Sequence, residues 1–215
     1  MASDWRERTV DRSLANHRAR ALEKSSRFID AATELLAEAG RTDFTVQEIV
    51  DRSGQSVRTF YQHFAGKDDL LLAVFEQAME TFATELRRQT DKADHPIEQL
   101  RLYVEAFHRS VERGAGAGGR ALLVYHLQLA QDRPAEFASA VAPQMVLLAE
   151  IVDAGLAAGE LRRDLDAKVL VLLVTQALMS VAQLHVLGLH AGARLSRRDL
   201  WAWVQAAVSP GAGLL

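Results

Sequence analysis

The chain has no cysteine. It can therefore build neither a disulfide framework nor a thiolate metal site, which suits a reducing compartment. Only four of its 215 residues are proline; with so few breakers and an abundance of Ala and Leu, the expectation is an all-α protein. Its first residues carry no apolar run of signal-peptide type, so no export is expected. Strong charge is lacking too: a formal net charge of −3 argues against coating nucleic acid by bulk electrostatics. Long apolar runs are also missing. In the most hydrophobic stretch, 167–189, the longest unbroken run is Val169 to Val174, and Thr175, Gln176, Ser180, Gln183 and His185 interrupt the rest. A bilayer span wants about 20 mainly apolar residues, so this stretch reads as a buried or interface helix and no membrane partner is expected.

Signatures of catalysis are scarce. None of the histidines pairs at i, i+4 in an HExxH-type pattern, and there is no nucleophile elbow or Asp-rich loop. His108, His126, His185 and His190 read as structural or pocket groups. The Gly-rich stretch 114–119 follows no strand and lacks the Lys-Ser/Thr ending of a phosphate-binding loop, so it reads as a connector. No catalytic residue, metal or cofactor is expected.

What is present is concentrated between Phe44 and Leu72. Thr45 is a good helix N-cap, and Glu48 three residues later completes a capping box. Val46, Ile49 and Val50 give that helix one apolar face. Gly54 suits the left-handed backbone of a helix exit, and Ser56 can cap a second helix over 57–64. Phe60 and Phe64, four apart, share its inner side and leave Val57, Arg58, Tyr61 and Gln62 outward. Two short helices around a Gly-containing turn form a helix-turn-helix, whose second helix can enter a DNA major groove. Arg can give two hydrogen bonds to guanine, Gln two to adenine, and Val can pack on a thymine methyl. Val57, Arg58, Tyr61 and Gln62 are therefore the candidate base-reading residues, with Thr59 near the backbone.

Thr45, Gly54, Ser56, Thr59, Phe60-Tyr61, His63-Phe64, Gly66-Lys67 and Leu70-Leu71 together resemble the signature of the TetR family of bacterial transcription regulators, over roughly residues 22–75. The remainder resembles the family in length and helical pattern. Gln55 departs from it, standing where the family has a small apolar residue under the turn. The resemblance implies phosphate contacts from Thr45, Tyr61, His63 and Lys67, and a two-fold dimer.

Three regions are expected: an N-terminal arm (1–19), rich in Arg and without sustained helical periodicity; a three-helix DNA-binding head (20–66); and a helical ligand-binding and dimerisation domain (67–215). Charge follows this division weakly: residues 1–67 hold 11 Lys/Arg against 10 Asp/Glu, and residues 68–215 hold 14 against 18. The arm reads either as a solvated tail or as an element that follows DNA, with Arg18 and Arg20 as its candidates. The head's first helix, from about Arg20 to Ala39, carries Phe28, Ala32, Leu35 and Leu36 at helical spacing. A fourth helix opens at Gly66-Lys67 and runs to about Gln89. Further helices are expected over about 97–111, 120–131, 143–158 with Pro143 in the first turn, 167–189, and from a Ser196 cap onward. Phe82, Tyr103, Phe107, His108, Tyr125 and His126 have the mixture of apolar and placed polar groups that lines a pocket between helices. The last two helices hold more apolar surface than one layer hides. A two-fold four-helix interface through Leu173, Ala177, Leu184, Leu200, Trp201 and Val204 would bury it.

The reading is a cytoplasmic homodimeric regulator, nucleoid-associated through DNA binding. It is a repressor that binds an inverted-repeat double-stranded operator and is released by a small-molecule effector. The alternatives are an activator or ligand-insensitive regulator of the same fold, or an enzyme or small-molecule carrier with a vestigial helix-turn-helix.

Overall fold

Neither proline nor glycine falls between Asp4 and Ala39, and that run forms one helix, α1 (Asp4–Ala39). The structure is a computed structural model describing residues 4–40, 42–114, 116–189 and 195–211. Among them the chain forms nine α-helices and no strand. The all-α expectation holds. Two compact units are present, Met1–Val74 and Phe75–Leu215. The boundary lies inside the fourth helix, so the first turns of that helix group with the head.

In the first unit, α1 is followed by α2 (Val46–Ser53), α3 (Val57–His63) and the start of α4 (Lys67–Thr90). Phe28, Ala32 and Leu36 recur at 4-residue spacing on α1 and are buried, as are Ile49 and Val50 on α2 and Phe60 and Phe64 around α3. Phe28 is the keystone: its ring meets Phe60 edge-on at 5.4 Å and Phe64 edge-on at 6.1 Å. Such offset arrangements set the positive ring edge against the negative ring face. α1 begins at Asp4, not near Arg20, so residues 4–19 are helical where an arm without periodicity was expected. Leu14, Ala15, Arg18, Ala19 and Arg20 are good helix formers, and extending a helix whose other end is fixed costs little.

The second unit holds the end of α4 together with α5 (Pro96–Arg113), α6 (Ala117–Asp132), α7 (Pro134–Ala158), α8 (Ala167–Val186) and α9 (Arg197–Val208). α5 is central, packing against α7, α8 and α9. The core gathers Leu86, Leu100, Val104, Leu148, Ile151, Val152, Leu178 and Val204. Boundaries differ from expectation at three helices, α8 ending at Val186, short of 189. α6 starts at Ala117 and takes Gly118 and Gly119 into the helix. α7 starts at Pro134, which fits the first helical position, and carries Pro143 in its interior. Proline there removes one ladder bond, yet Ala140, Gln144 and Leu147 on either side are buried, and the helix runs on to Gly159. Gly155 cannot be replaced freely: a Cβ there would lie 2.7 Å from the buried Leu161 side chain.

By length and composition α7 and α8 could each cross a bilayer. Both instead pack on α5 and on each other. α7 also bears Glu150, which takes an ion pair from Arg87 at 2.7 Å.

Candidate nucleic-acid interface

The reading element is built from its caps. Thr45 accepts from the Glu48 N–H at 3.2 Å, and the Glu48 carboxylate accepts from the Thr45 N–H at 2.6 Å and from its hydroxyl at 2.8 Å. α2 then ends on Gly54 at φ 65°, ψ 26°, a left-handed backbone that glycine adopts without steric cost. Ser56 starts α3 by accepting from the Thr59 N–H at 3.1 Å, and its hydroxyl lies 2.8 Å from that of Thr59.

On α3 the division of faces follows the expectation. Phe60 is fully buried, whereas Val57 is 41% and Tyr61 58% exposed, with Arg58 and Gln62 also exposed. Tyr61 stands edge-on to Phe60 at 5.3 Å, which fixes its ring without covering its hydroxyl end. Arg58 has no ion-pair partner among the described residues, so its guanidinium is open to an acceptor. His63 is half-buried, and its Nδ1 lies 3.0 Å from the Ser25 hydroxyl of α1. When Ser25 donates to Nδ1, Nε2 carries the proton and can donate to a phosphate. Lys67 opens α4 beside Asp68 and Asp69, and Asp69 accepts from the Ala65 N–H at 3.0 Å.

Two contacts that hold this element had no sequence signal. The Gln55 amide donates to the Lys24 carbonyl at 2.8 Å. Where a small apolar residue would pack under the turn, this chain instead ties the turn to α1 by a hydrogen bond. Arg52, at the end of α2, pairs with Glu38 at 2.8 Å and Glu34 at 3.3 Å. Its guanidinium holds the Glu38 carboxyl below the usual carboxylate range. Both partners are far along α1 in sequence, so neither contact shows in local spacing.

In the second unit the expected pocket residues fall into two aromatic groups. Phe82 and Phe107 meet edge-on at 5.7 Å, and the Tyr103 hydroxyl donates to the Gln144 carbonyl at 3.3 Å. Tyr125 and His126 join Phe75, with His126 also edge-on to Phe137 at 4.7 Å. Phe75, Phe137 and Gln144 were not among the expected pocket residues. Gln144 is buried, and its Oε1 has no hydrogen-bond partner. His108 is tied elsewhere: its Nε2 donates to the Leu195 carbonyl at 3.0 Å, which makes it a brace. His190 lies outside the described residues. Among the described residues no cluster of His, Asp or Glu is placed to hold a metal ion.

The expected interface set divides. Leu173 and Leu184 are 53% and 44% exposed on α8, with Ala177 half-buried. Leu200 and Val204 are not available to a partner: at 3% and 0% exposure they belong to the core of this unit, and Trp201 packs against it. α9 turns Leu200, Val204 and Val208 inward at 4-residue spacing, so the outward aromatic is Trp203, 59% exposed. Leu173, Ala177, Ser180, Trp203 and Ala207 line an open apolar groove of about 850 Å3 between α8 and α9.

The sequence model described as bacterial regulatory proteins, tetR family, matches residues 28–74, the span from Phe28 through the helix-turn-helix to the first turns of α4. Over that span the chain is similar to the tetR family. Over 78 residues it is 33% identical to the HTH-type transcriptional regulator HbdR of Aromatoleum sp., covering 36% of this chain and 34% of HbdR. It is 26% identical over 148 residues to the fatty acid metabolism regulator protein of Bacillus subtilis, covering 67% and 74% of the two chains. The first curated relatives are thus matched over only 34% and 41% of their length. The solved structure of the transcriptional regulator FadR from Bacillus subtilis in complex with stearoyl-CoA shares the tetR-type fold with a TM-score of 0.67 at 22% identity, covering 84% of this chain and 95% of that one.

Proposed function

We propose that this chain is a homodimeric transcriptional regulator of the tetR family that reads double-stranded operator DNA with α3 and releases it on binding a small-molecule effector. The observation that carries the reading is the outward face of α3, where Val57, Arg58, Tyr61 and Gln62 are exposed on a helix pinned from behind by Phe60. Thr45, Thr59, Tyr61, His63 and Lys67 are the phosphate-contacting set that goes with it. A single head offers few base contacts, so useful affinity calls for two heads and an inverted-repeat operator. The apolar groove between α8 and α9, lined by the exposed Leu173 and Trp203, supports a second copy as the surface that closes it.

An acyl-CoA thioester is the first effector to test, because FadR of the shared fold binds stearoyl-CoA. The aromatic interior of the second unit is suited to an apolar chain, and the unpaired Gln144 Oε1 is suited to a donor on the ligand. α4 is one uninterrupted helix belonging to both units, so a ligand that shifts its second half acts on the same helix that carries Lys67. The effector can move the equilibrium only by its differential affinity for the two conformations.

Selection of binding sequences from random DNA by the purified protein tests the reading. Enrichment of an inverted repeat, with binding weakened by stearoyl-CoA, is the expected result. Failure to enrich any sequence would remove the DNA-binding reading. Transcription of the adjoining gene in a deletion strain separates repression from activation.

A further inference from the structure

The N-terminal half of α1 extends beyond the head and carries its own charge pattern. From Arg12 to Arg27 the chain has five Lys/Arg and one acidic residue, Glu23; from Phe28 to Ala39 it has Asp30, Glu34 and Glu38 and no Lys or Arg. Before Arg12 the helix is mixed, with Asp4, Glu7 and Asp11 beside Arg6 and Arg8, so the basic excess is confined to the middle of α1, and Arg52 of α2 braces its acidic end. On the basic half His17, Arg20, Lys24 and Arg27 follow at intervals of 3, 4 and 3 residues, which sets them along one side. Arg18, two residues from Arg20, points about 200° away from it, so the two do not act together. Arg27 is held by Glu23 at 2.7 Å. Arg12, Arg20 and Lys24 are exposed and have no ion pair among the described residues.

The position of this face is fixed by two contacts. Gln55 in the α2–α3 turn reaches the Lys24 carbonyl, and His63 at the end of α3 reaches Ser25. The basic side thus starts beside the helix-turn-helix and continues outward from it. At about 1.5 Å per residue, His17 to Lys24 spans roughly 10 Å, and duplex DNA offers about one phosphate charge per 1.7 Å over such a length. A segment already helical also loses less conformational freedom on binding than a flexible arm would.

We propose that the basic stretch of α1 from His17 to Lys24 is a second DNA-binding element, laying Arg20 and Lys24, with His17 on the same side, along phosphates that flank the segment read by α3. This rests on the DNA-binding reading above. The competing occupant is a second copy of the chain docking on Val10 and Leu14, which are 56% and 62% exposed.

The test uses the full chain and its Arg20→Gln/Lys24→Gln variant, since Gln keeps helix propensity. Each is titrated with the selected inverted repeat, either trimmed to its ends or extended by about one helical turn of DNA on each side. The wild type should bind the extended duplex at least tenfold more tightly. The variant should lose that gain, with a salt slope shallower by about 2 per head and unchanged helicity by circular dichroism. If wild type and variant share the same flank dependence and salt slope, the proposal is overturned while the reading of α3 stands. A changed assembly state in the variant at an unchanged salt slope assigns the face to a second copy and also overturns it. If no sequence is selected at all, both readings fall together.

Discussion

The side-chain amide of Gln55 donates to the main-chain carbonyl of Lys24 across 2.8 Å, joining the turn of the helix-turn-helix to a helix 31 residues earlier. That carbonyl lies at an exposed stretch of α1 and can turn to water when the amide is gone. Gln55→Ala is therefore expected to cost about 0.5–1.5 kcal/mol, the net worth of one hydrogen bond. Urea denaturation checks it, and a loss above about 3 kcal/mol would mean that Gln55 carries packing as well.

Phe28 is the residue on which the head depends. It is fully buried and meets Phe60 and Phe64 edge-on. Phe28→Ala should cost about 3–5 kcal/mol, a large part of the stability of so small a unit. Calorimetry should show an early transition, and hydrogen exchange should place it in the first unit with α5, α7 and α8 still protected. A variant with an unchanged first transition would contradict this view of the core.

These two residues show what the sequence made legible. Phe28 lay on a helical stripe, and the caps at Thr45, Gly54, Ser56 and Ser196 were readable because capping is local chemistry. The outward face of α3 followed from Phe60 and Phe64 pointing the other way. The long-range ties were not readable: Gln55 to Lys24, Arg52 to Glu34 and Glu38, and His63 to Ser25 depend on which turns of separate helices meet. Pro143 misled for a related reason. Proline at a first turn is the better local reading, but Pro134 takes that role, and burial of Ala140 and Gln144 keeps the helix continuous around the second proline. On α9 the apolar pattern was plain, but spacing alone did not say whether Leu200 and Val204 face their own core or a partner.

Arg58 and Lys67 separate specificity from affinity. Arg58 is exposed on α3 with no ion pair among the described residues, so Arg58→Ala should cost about 1–3 kcal/mol at the operator and relax the preference at one position. Lys67→Ala should weaken all sequences alike and flatten the salt slope. Binding to a set of single-base operator variants distinguishes them. Matching base-preference profiles for wild type and Arg58→Ala would remove Arg58 from the reading set.

Assembly and folding should come apart on the last two helices. Leu173→Glu and Trp203→Glu place a charge on the exposed apolar groove and should yield folded monomers with weakened operator binding. Leu200 is 3% exposed, so Leu200→Ala should instead cost about 2–5 kcal/mol of folding stability. Sedimentation velocity alongside thermal melting tests both. Should Leu173→Glu and Trp203→Glu leave the assembly state of the wild type unchanged, the dimer does not use this groove.

The last prediction concerns acid. Burial against Phe75 and Phe137 holds the His126 imidazole below its ordinary value of 6.5, because a charged ring would lose its hydration there. Well above pH 6.5 both folded and unfolded chains carry a neutral ring, and this residue adds no pH dependence. As pH falls below that value the unfolded chain takes up a proton that the folded one refuses, so the unfolded state gains and stability drops. The drop ends once pH has passed below the depressed folded value. His126→Phe keeps an aromatic ring and removes the proton, so its melting temperature should fall less between pH 7.5 and pH 5, pH values on the order of one to two units either side of the free imidazole. Parallel melting curves for wild type and variant across that interval would show that other groups set the acid response and that His126 is not held neutral by its surroundings.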